Sequence, residues 1–234
     1  MNNKFFKTGI LIATLGIPVF VFLFLKFFGE NKFDLPYYFP QLDQNGEVII
    51  SEKDTVFTKV PNFLFLSQDS TTYNSTIDTN KIRVLGFFFS RCGTICPVIN
   101  KNVDRLAEKF NHEDNLKFLM ISIDPNFDRP FVLKKYREGF SSKSKNWLFL
   151  TGNKKDIYDF AIKGVKLPVA DASEYDKGIK SVDETFIHSE KLLLIDKSGY
   201  IRGIYDGTNT ADINRLDVEI KVLLNQKQDI ERGY

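Results

Sequence analysis

The chain has 234 residues, enough for one membrane segment and one domain of ordinary size. A hydrophobic fraction of 43%, with 23 Phe, supplies a full core, so the fold does not need disulfide staples. The 32 basic and 30 acidic residues nearly cancel, which argues against nucleic acid as a partner, because phosphate binding takes a basic surplus on one face.

From the N-terminus, Thr8 to Leu25 carry no charge and are mostly Ile, Leu, Val and Phe, with Lys4 and Lys7 before and Lys26 after. Such a run predicts one membrane-spanning helix within residues 1–28. Basic residues at its start predict a cytoplasmic N-terminus and an outward-facing domain. No small-residue cleavage site and no lipoprotein Cys follow the run, so the anchor is expected to stay uncleaved.

Residues 29–58 read as a tether with a short hairpin, marked by Pro36, Pro40, the turn signal Asn45-Gly46 and a short strand over 47–50. Residues 59–226 read as the domain and 227–234 as a tail. Within the domain, 61–66 resembles an entering strand and 83–89 a strand buried on both faces. Ile99, Val103, Leu106 and Phe110 mark a helix over 96–110. A strand is expected over 116–123, a helix over 131–140 with Asp128 and Pro130 near its start, a strand over 146–150 and a helix over 154–163. A hairpin over 191–205 turns at Lys197-Ser198-Gly199, and Ile213, Leu216 and Ile220 mark a last helix over 210–226. This alternation describes an α/β domain with a mixed sheet flanked by helices, an order shared by the thioredoxin fold and by other small α/β folds.

The chemistry concentrates at Arg91-Cys92-Gly93-Thr94-Ile95-Cys96-Pro97, which holds both cysteines of the chain. The segment lies at the C-terminal end of a buried strand, where open α/β sheets gather their sites. It also begins a helix, whose unpaired N–H groups favour thiolate. Pro97 suits a first helical turn. A spacing of four puts both sulfurs on one side of a turn, able to grip one soft ion, Cu(I) or Zn(II), or to form a disulfide. Of the two histidines, His112 sits in a polar stretch and reads as a surface residue. His188 stands immediately before the hairpin strand, and in a thioredoxin-like fold that loop lies beside the cysteine-bearing helix. Two thiolates and one imidazole suit Cu(I) and can hold Cu(II). The last proline is Pro168, so the position where thioredoxin-like reductases carry a cis-Pro holds a potential ligand instead.

Taken together, several pieces resemble the SCO/SenC family of copper-binding, thioredoxin-like proteins of cytochrome c oxidase assembly. They are Cys92-x-x-x-Cys96-Pro97, Ser122-Ile123-Asp124-Pro125 with Asp128 and Pro130, and Leu150-Thr151-Gly152. His188 before a strand and Ile201-Arg202-Gly203-Ile204-Tyr205-Asp206-Gly207-Thr208 complete the set. The resemblance runs from about residue 35 to residue 224. It implies that Cys92, Cys96 and His188 ligate copper, as Cu(I) or Cu(II). It also implies delivery of copper to the dinuclear centre of oxidase subunit II or another copper-site apoprotein, or upkeep of that partner's cysteines. A periplasmic copper donor is expected with this resemblance, and the anchor read above gives a single-pass place in a bacterial inner membrane with the domain in the periplasm. Gly93 departs from the family, where many members carry Pro, and loosens the loop without removing a ligand.

Two other activities fit the fold. A periplasmic thiol–disulfide oxidoreductase would use Cys92 and Cys96 as a redox pair without needing His188. A thiol peroxidase would want one peroxidatic Cys among Thr or Ser and Arg, which a second Cys four residues on does not favour.

Overall fold

The computed structural model describes residues 3–28, 34–52, 54–172 and 185–226. The expected tail, 227–234, and residues 29–33 of the tether lie outside them. The chain forms two compact units, Met1–Asp34 and Leu35–Tyr234.

In the first unit, α1 spans Asn3–Phe28. Its described large side chains, among them Ile12, Leu15, Phe20 and Phe22, are exposed. Gly9, Thr14, Gly16 and Pro18 interrupt the apolar side chains, and the Thr14 hydroxyl bonds back to the Ile10 carbonyl at 2.9 Å. The membrane-spanning expectation is not supported at this level: among the described residues no helix is long and apolar enough to cross a membrane.

The second unit opens with a strap. Arg202 is buried and donates to the carbonyls of Leu35 and, at 3.2 Å, Pro36. Its guanidinium lies 3.8 Å from the centre of the Tyr37 ring and pairs with Asp196 at 3.0 Å. A small hairpin follows, β1 (Ile50–Ser51) and β2 (Asp54–Thr55). Before it, Asp43 accepts the N–H groups of Asn45 and Glu47, and Gly46 takes the positive φ of 83° that this turn requires.

The main sheet contains β3 (Leu64–Ser67), β4 (Thr72–Asn74), β5 (Ile82–Phe88), β6 (Leu116–Ser122) and β7 (Trp147–Thr151). Helix α2 (Cys96–Lys109) joins β5 to β6, α3 (Pro130–Glu138) joins β6 to β7, and α4 (Lys154–Asp159) follows β7. A short ribbon, β8 (Val169–Asp171) and β9 (Phe186–His188), precedes the hairpin β10 (Lys191–Ile195) and β11 (Ile201–Asp206) and the closing helix α5 (Thr210–Asn225). The sheet order is β11-β10-β5-β6-β7-β3-β4, parallel for β5–β6 and β6–β7 and antiparallel elsewhere.

Every residue of β5 is buried, as a continuous apolar run covered on both faces must be. Ile99, Val103 and Leu106 turn one face of α2 inward, and Ile213, Leu216, Ile220 and Leu223 do the same for α5. Phe88, Tyr136, Phe140, Trp147 and Phe149 form an aromatic cluster with centroids 5.0 to 6.1 Å apart under α3. Asn153 and Asn209 cap α4 and α5 by accepting their first free N–H groups.

Two features differ from the sequence expectation. The helix over 154–163 turns π-helical at Phe160–Gly164. The segment at His188 is a strand, β9, instead of a loop; it pairs with β8, with Val169 opposite His188 and Asp171 opposite Phe186. A three-residue strand has no periodicity to read.

Gly203 is required by a close approach. A Cβ there would meet the Tyr205 ring, which is held by its hydroxyl on Glu219 and by Arg215 stacked at 4.2 Å. Gly203→Ala is expected to cost about 1–3 kcal/mol through overpacking. A fall in the urea midpoint at unchanged m-value checks it.

Candidate metal centre

The site is built where β5 stops. Parallel pairing with β6 runs to Phe88 opposite Ser122, and the Ile123 N–H then donates to the Phe88 carbonyl at 2.9 Å. Both strands therefore end side by side, and their following loops meet. Asp128, on the β6–α3 loop, is fully buried. Its carboxylate accepts the Ser90 N–H at 2.9 Å, the Ser90 hydroxyl, and the Ser122 hydroxyl at 2.5 Å. Asp128 does not cap α3, whose N-cap is Arg129 with no side-chain cap bond. Arg91, next along, pairs with Asp124 at 2.6 Å and lies 4.3 Å from the Phe127 ring centre. The residues on either side of the turn are thus fixed before Cys92 is reached.

Cys92 follows in a turn closed by its N–H on the Phe89 carbonyl at 3.2 Å, and its Sγ lies 3.5 Å from the Thr94 hydroxyl. Cys96 opens α2, with Pro97 in the first turn. Both cysteines are buried and neither is in a disulfide. The two thiols are hydrogen-bonded to each other; that bond first, and burial second, push the Cys96 thiol far above its ordinary range. Cys96 therefore holds its proton firmly until something displaces it, even though the helix N-terminus favours thiolate.

Of His188 the described atoms are those of its backbone in β9. Its neighbours tie it to the cysteine-bearing elements from both sides. Two residues before it, Phe186 packs on Phe89 with ring centres 5.1 Å apart. Two residues after it, the Glu190 carbonyl accepts the Gly207 N–H at 2.9 Å, and the Gly207 carbonyl accepts from Asn102 of α2 at 2.9 Å. A Cβ on Gly207 would stand 3.0 Å from both the Glu190 carbonyl and Ile99, so glycine permits this approach. His112 is exposed, as its polar surroundings suggest. Among the described residues no peptide bond is cis and no group of three or more His, Cys, Asp or Glu surrounds one point.

The matching family model is described as SCO1/SenC and covers residues 51–222. The chain belongs to the SCO1/SenC family. It is 26% identical over 171 residues to a SCO1 protein homolog of Bacillus subtilis, covering 72% of this chain and 84% of that one. Its fold is similar to that of BsSco, described as a member of the Sco family of cytochrome c oxidase assembly proteins with a disulfide switch (TM-score 0.60, 24% identity, 72% of this chain, 95% of that one). It is also similar to Bradyrhizobium japonicum ScoI, solved with copper bound (TM-score 0.56, 19% identity, 71% of this chain, 99% of that one). The thioredoxin-like Sco fold with a mixed central sheet is thus established among the described residues of the second unit.

Sequence reasoning missed the Ser90–Asp128–Ser122 network and the Phe89–Phe186 contact. Ser122 and Asp128 stand among the family pieces, but Ser90 joins Asp128 from 38 residues away, and Phe89 and Phe186 are farther apart still, so no local pattern announces either contact. Burial raises the Asp128 pKa, and the hydrogen bonds from Ser122 and Ser90 offset only part of that rise. A carboxyl raised by folding contributes stability that is complete below its unfolded pKa and is lost as pH rises through the folded value. Asp128 is therefore expected to lower stability as pH rises above about 4, against the opposite trend of Asp206, Asp212 and Asp217, whose pKa values are lowered, so the wild-type slope should differ from that of Asp128→Asn in this sense. Urea midpoints across that range check it, and an equal slope in both proteins refutes the assignment.

Proposed function

We propose that this SCO1/SenC protein binds copper as cargo through Cys92, Cys96 and His188 and hands it to a copper-site apoprotein during cytochrome c oxidase assembly. The observation that carries the reading is the pair of buried, mutually hydrogen-bonded thiols at the N-terminus of α2, beside the strand that bears His188. The donor set fits the ion: soft thiolates select Cu(I), and an added imidazole suits Cu(II) as well. Copper bound there would hold both sulfurs as thiolates. The chain supplies a turn pinned by Asp128, water exclusion by Phe89 and Phe186, and a Cys96 proton that leaves on loading. Affinity should therefore rise with pH, because each ligand must lose its proton.

The dinuclear centre of oxidase subunit II is the client we favour, with a periplasmic protein as donor. We read α1, with its exposed apolar side chains and Lys4 and Lys7 near its start, as the element that holds the domain at the outer face of a bacterial inner membrane. A second reading, thiol–disulfide exchange, is favoured by the same hydrogen-bonded thiols. Oxidation of Cys92 and Cys96 to a disulfide would pass two electrons to a partner disulfide.

Residues 29–234, reduced anaerobically and titrated with Cu(I) against a competing chelator, are expected to take one copper per chain. Cys92→Ser and Cys96→Ser should each weaken binding by about 100-fold, about 2.8 kcal/mol. Weak Cu(I) binding by the unaltered chain, together with a readily reduced disulfide, would leave the oxidoreductase reading. For the anchor, the full chain is expected in the membrane fraction after alkaline carbonate washing and residues 29–234 in the soluble fraction; equal partition of the two refutes it.

A further inference from the structure

The β8–β9 ribbon stands outside the seven-stranded sheet, and each of its strands has three residues. A two-stranded ribbon of this size does not hold its own place. Besides the core packing of Val169 and Phe186, a closed circuit of contacts that starts and ends at the strand leading to Cys92 holds it. Phe88 accepts the Ile123 N–H at 2.9 Å, and Ile123 accepts the Tyr158 hydroxyl of α4 at 3.0 Å. The Tyr158 ring lies 5.4 Å from the Lys154 ammonium, and Lys154 pairs with Asp171 of β8 at 2.6 Å. Asp171 is opposite Phe186, and Phe186 packs on Phe89, next to where the circuit began. Every link but one is a hydrogen bond to a backbone carbonyl, a ring contact or strand pairing. The exception is the Lys154–Asp171 pair, with side chains 28% and 10% exposed, sheltered enough to outweigh an ordinary surface ion pair.

We propose that Lys154 and Asp171 are positioning residues that set the His188 ribbon against the cysteine turn and thereby govern the histidine-dependent part of copper binding. The inference rests on the three-ligand reading above. Cu(II) should feel the pair more than Cu(I), because two thiolates alone satisfy the softer ion and the imidazole matters most to the harder one. Residues that orient a ligand from behind typically change metal affinity by about 10- to 100-fold when removed. That range is expected here for Asp171→Asn and Lys154→Met toward Cu(II), with a shifted Cu(II) visible and EPR signature and Cu(I) affinity within about threefold of wild type. Asp171→Glu and Lys154→Arg should restore the signature.

The test titrates residues 29–234 and these variants with Cu(II) and Cu(I), beside His188→Ala and the double variant Asp171→Asn/His188→Ala. It also measures amide hydrogen exchange of residues 185–190 in the metal-free protein. Support is faster exchange in Asp171→Asn, weaker Cu(II) binding rescued by Glu, and no added loss in the double variant. Wild-type Cu(II) binding and spectrum in Asp171→Asn, while His188→Ala weakens both, overturns the positioning role. If His188→Ala itself binds Cu(II) as wild type does, the three-ligand reading fails. The positional claim is then decided by exchange alone: faster exchange in Asp171→Asn sustains it, and unchanged exchange overturns it.

Discussion

The parallel pairing of β5 with β6 is the constraint on which the site depends. It brings two strand ends to one edge of the sheet in register, so that the loop bearing Cys92 and the loop bearing Asp128 meet. Without that register Ser90 and Ser122 would not share a carboxylate, and the cysteine turn would have no fixed floor. The buried apolar runs of both strands enforce it, since a slip of one residue would exchange the face under α2 and α3, where Phe88 meets Tyr136, with the face where Phe87 meets Phe160.

A buried carboxylate under a thiol pair is an expensive arrangement, because burial works against its charge. It persists because Asp128 satisfies three donors on two loops at once, a task for which a neutral side chain of the same size lacks acceptors. The same enclosure leaves Cys96 strongly protonated in the metal-free protein. Copper loading and disulfide formation both have to remove that proton, so the two chemistries read for the pair compete for one event.

Much of the fold was legible in the sequence. The run at 83–89 became β5 over Ile82–Phe88, and the apolar spacing from Ile99 to Leu106 became the inner face of α2, because long buried elements carry a period. The Cys92–Cys96 pair was legible because its spacing and Pro97 belong to a turn entering a helix. The missing parts are short or tertiary. β4, β8 and β9 have three residues each, too few for a pattern, so His188 read as a loop residue. The π-helical turn after Asp159 ends with Gly164 against Pro61, across about a hundred residues of chain, a contact that no local propensity encodes. Lys154 and Asp171 look like ordinary surface charges until the structure shows what they join.

The strap at Leu35–Tyr37 has a mechanical meaning. Arg202 grips it at the start of β11, which the strand registers place at the same end of the sheet as Arg83, opposite the cysteine turn. Tension entering the domain from its N-terminal side meets that guanidinium and the Tyr38 N–H on the Ile201 carbonyl at 3.0 Å, both on an edge strand. The cysteine turn, at the far end of the strands, lies off that path, so a pull at one end and a hold at the other do not load the same bonds.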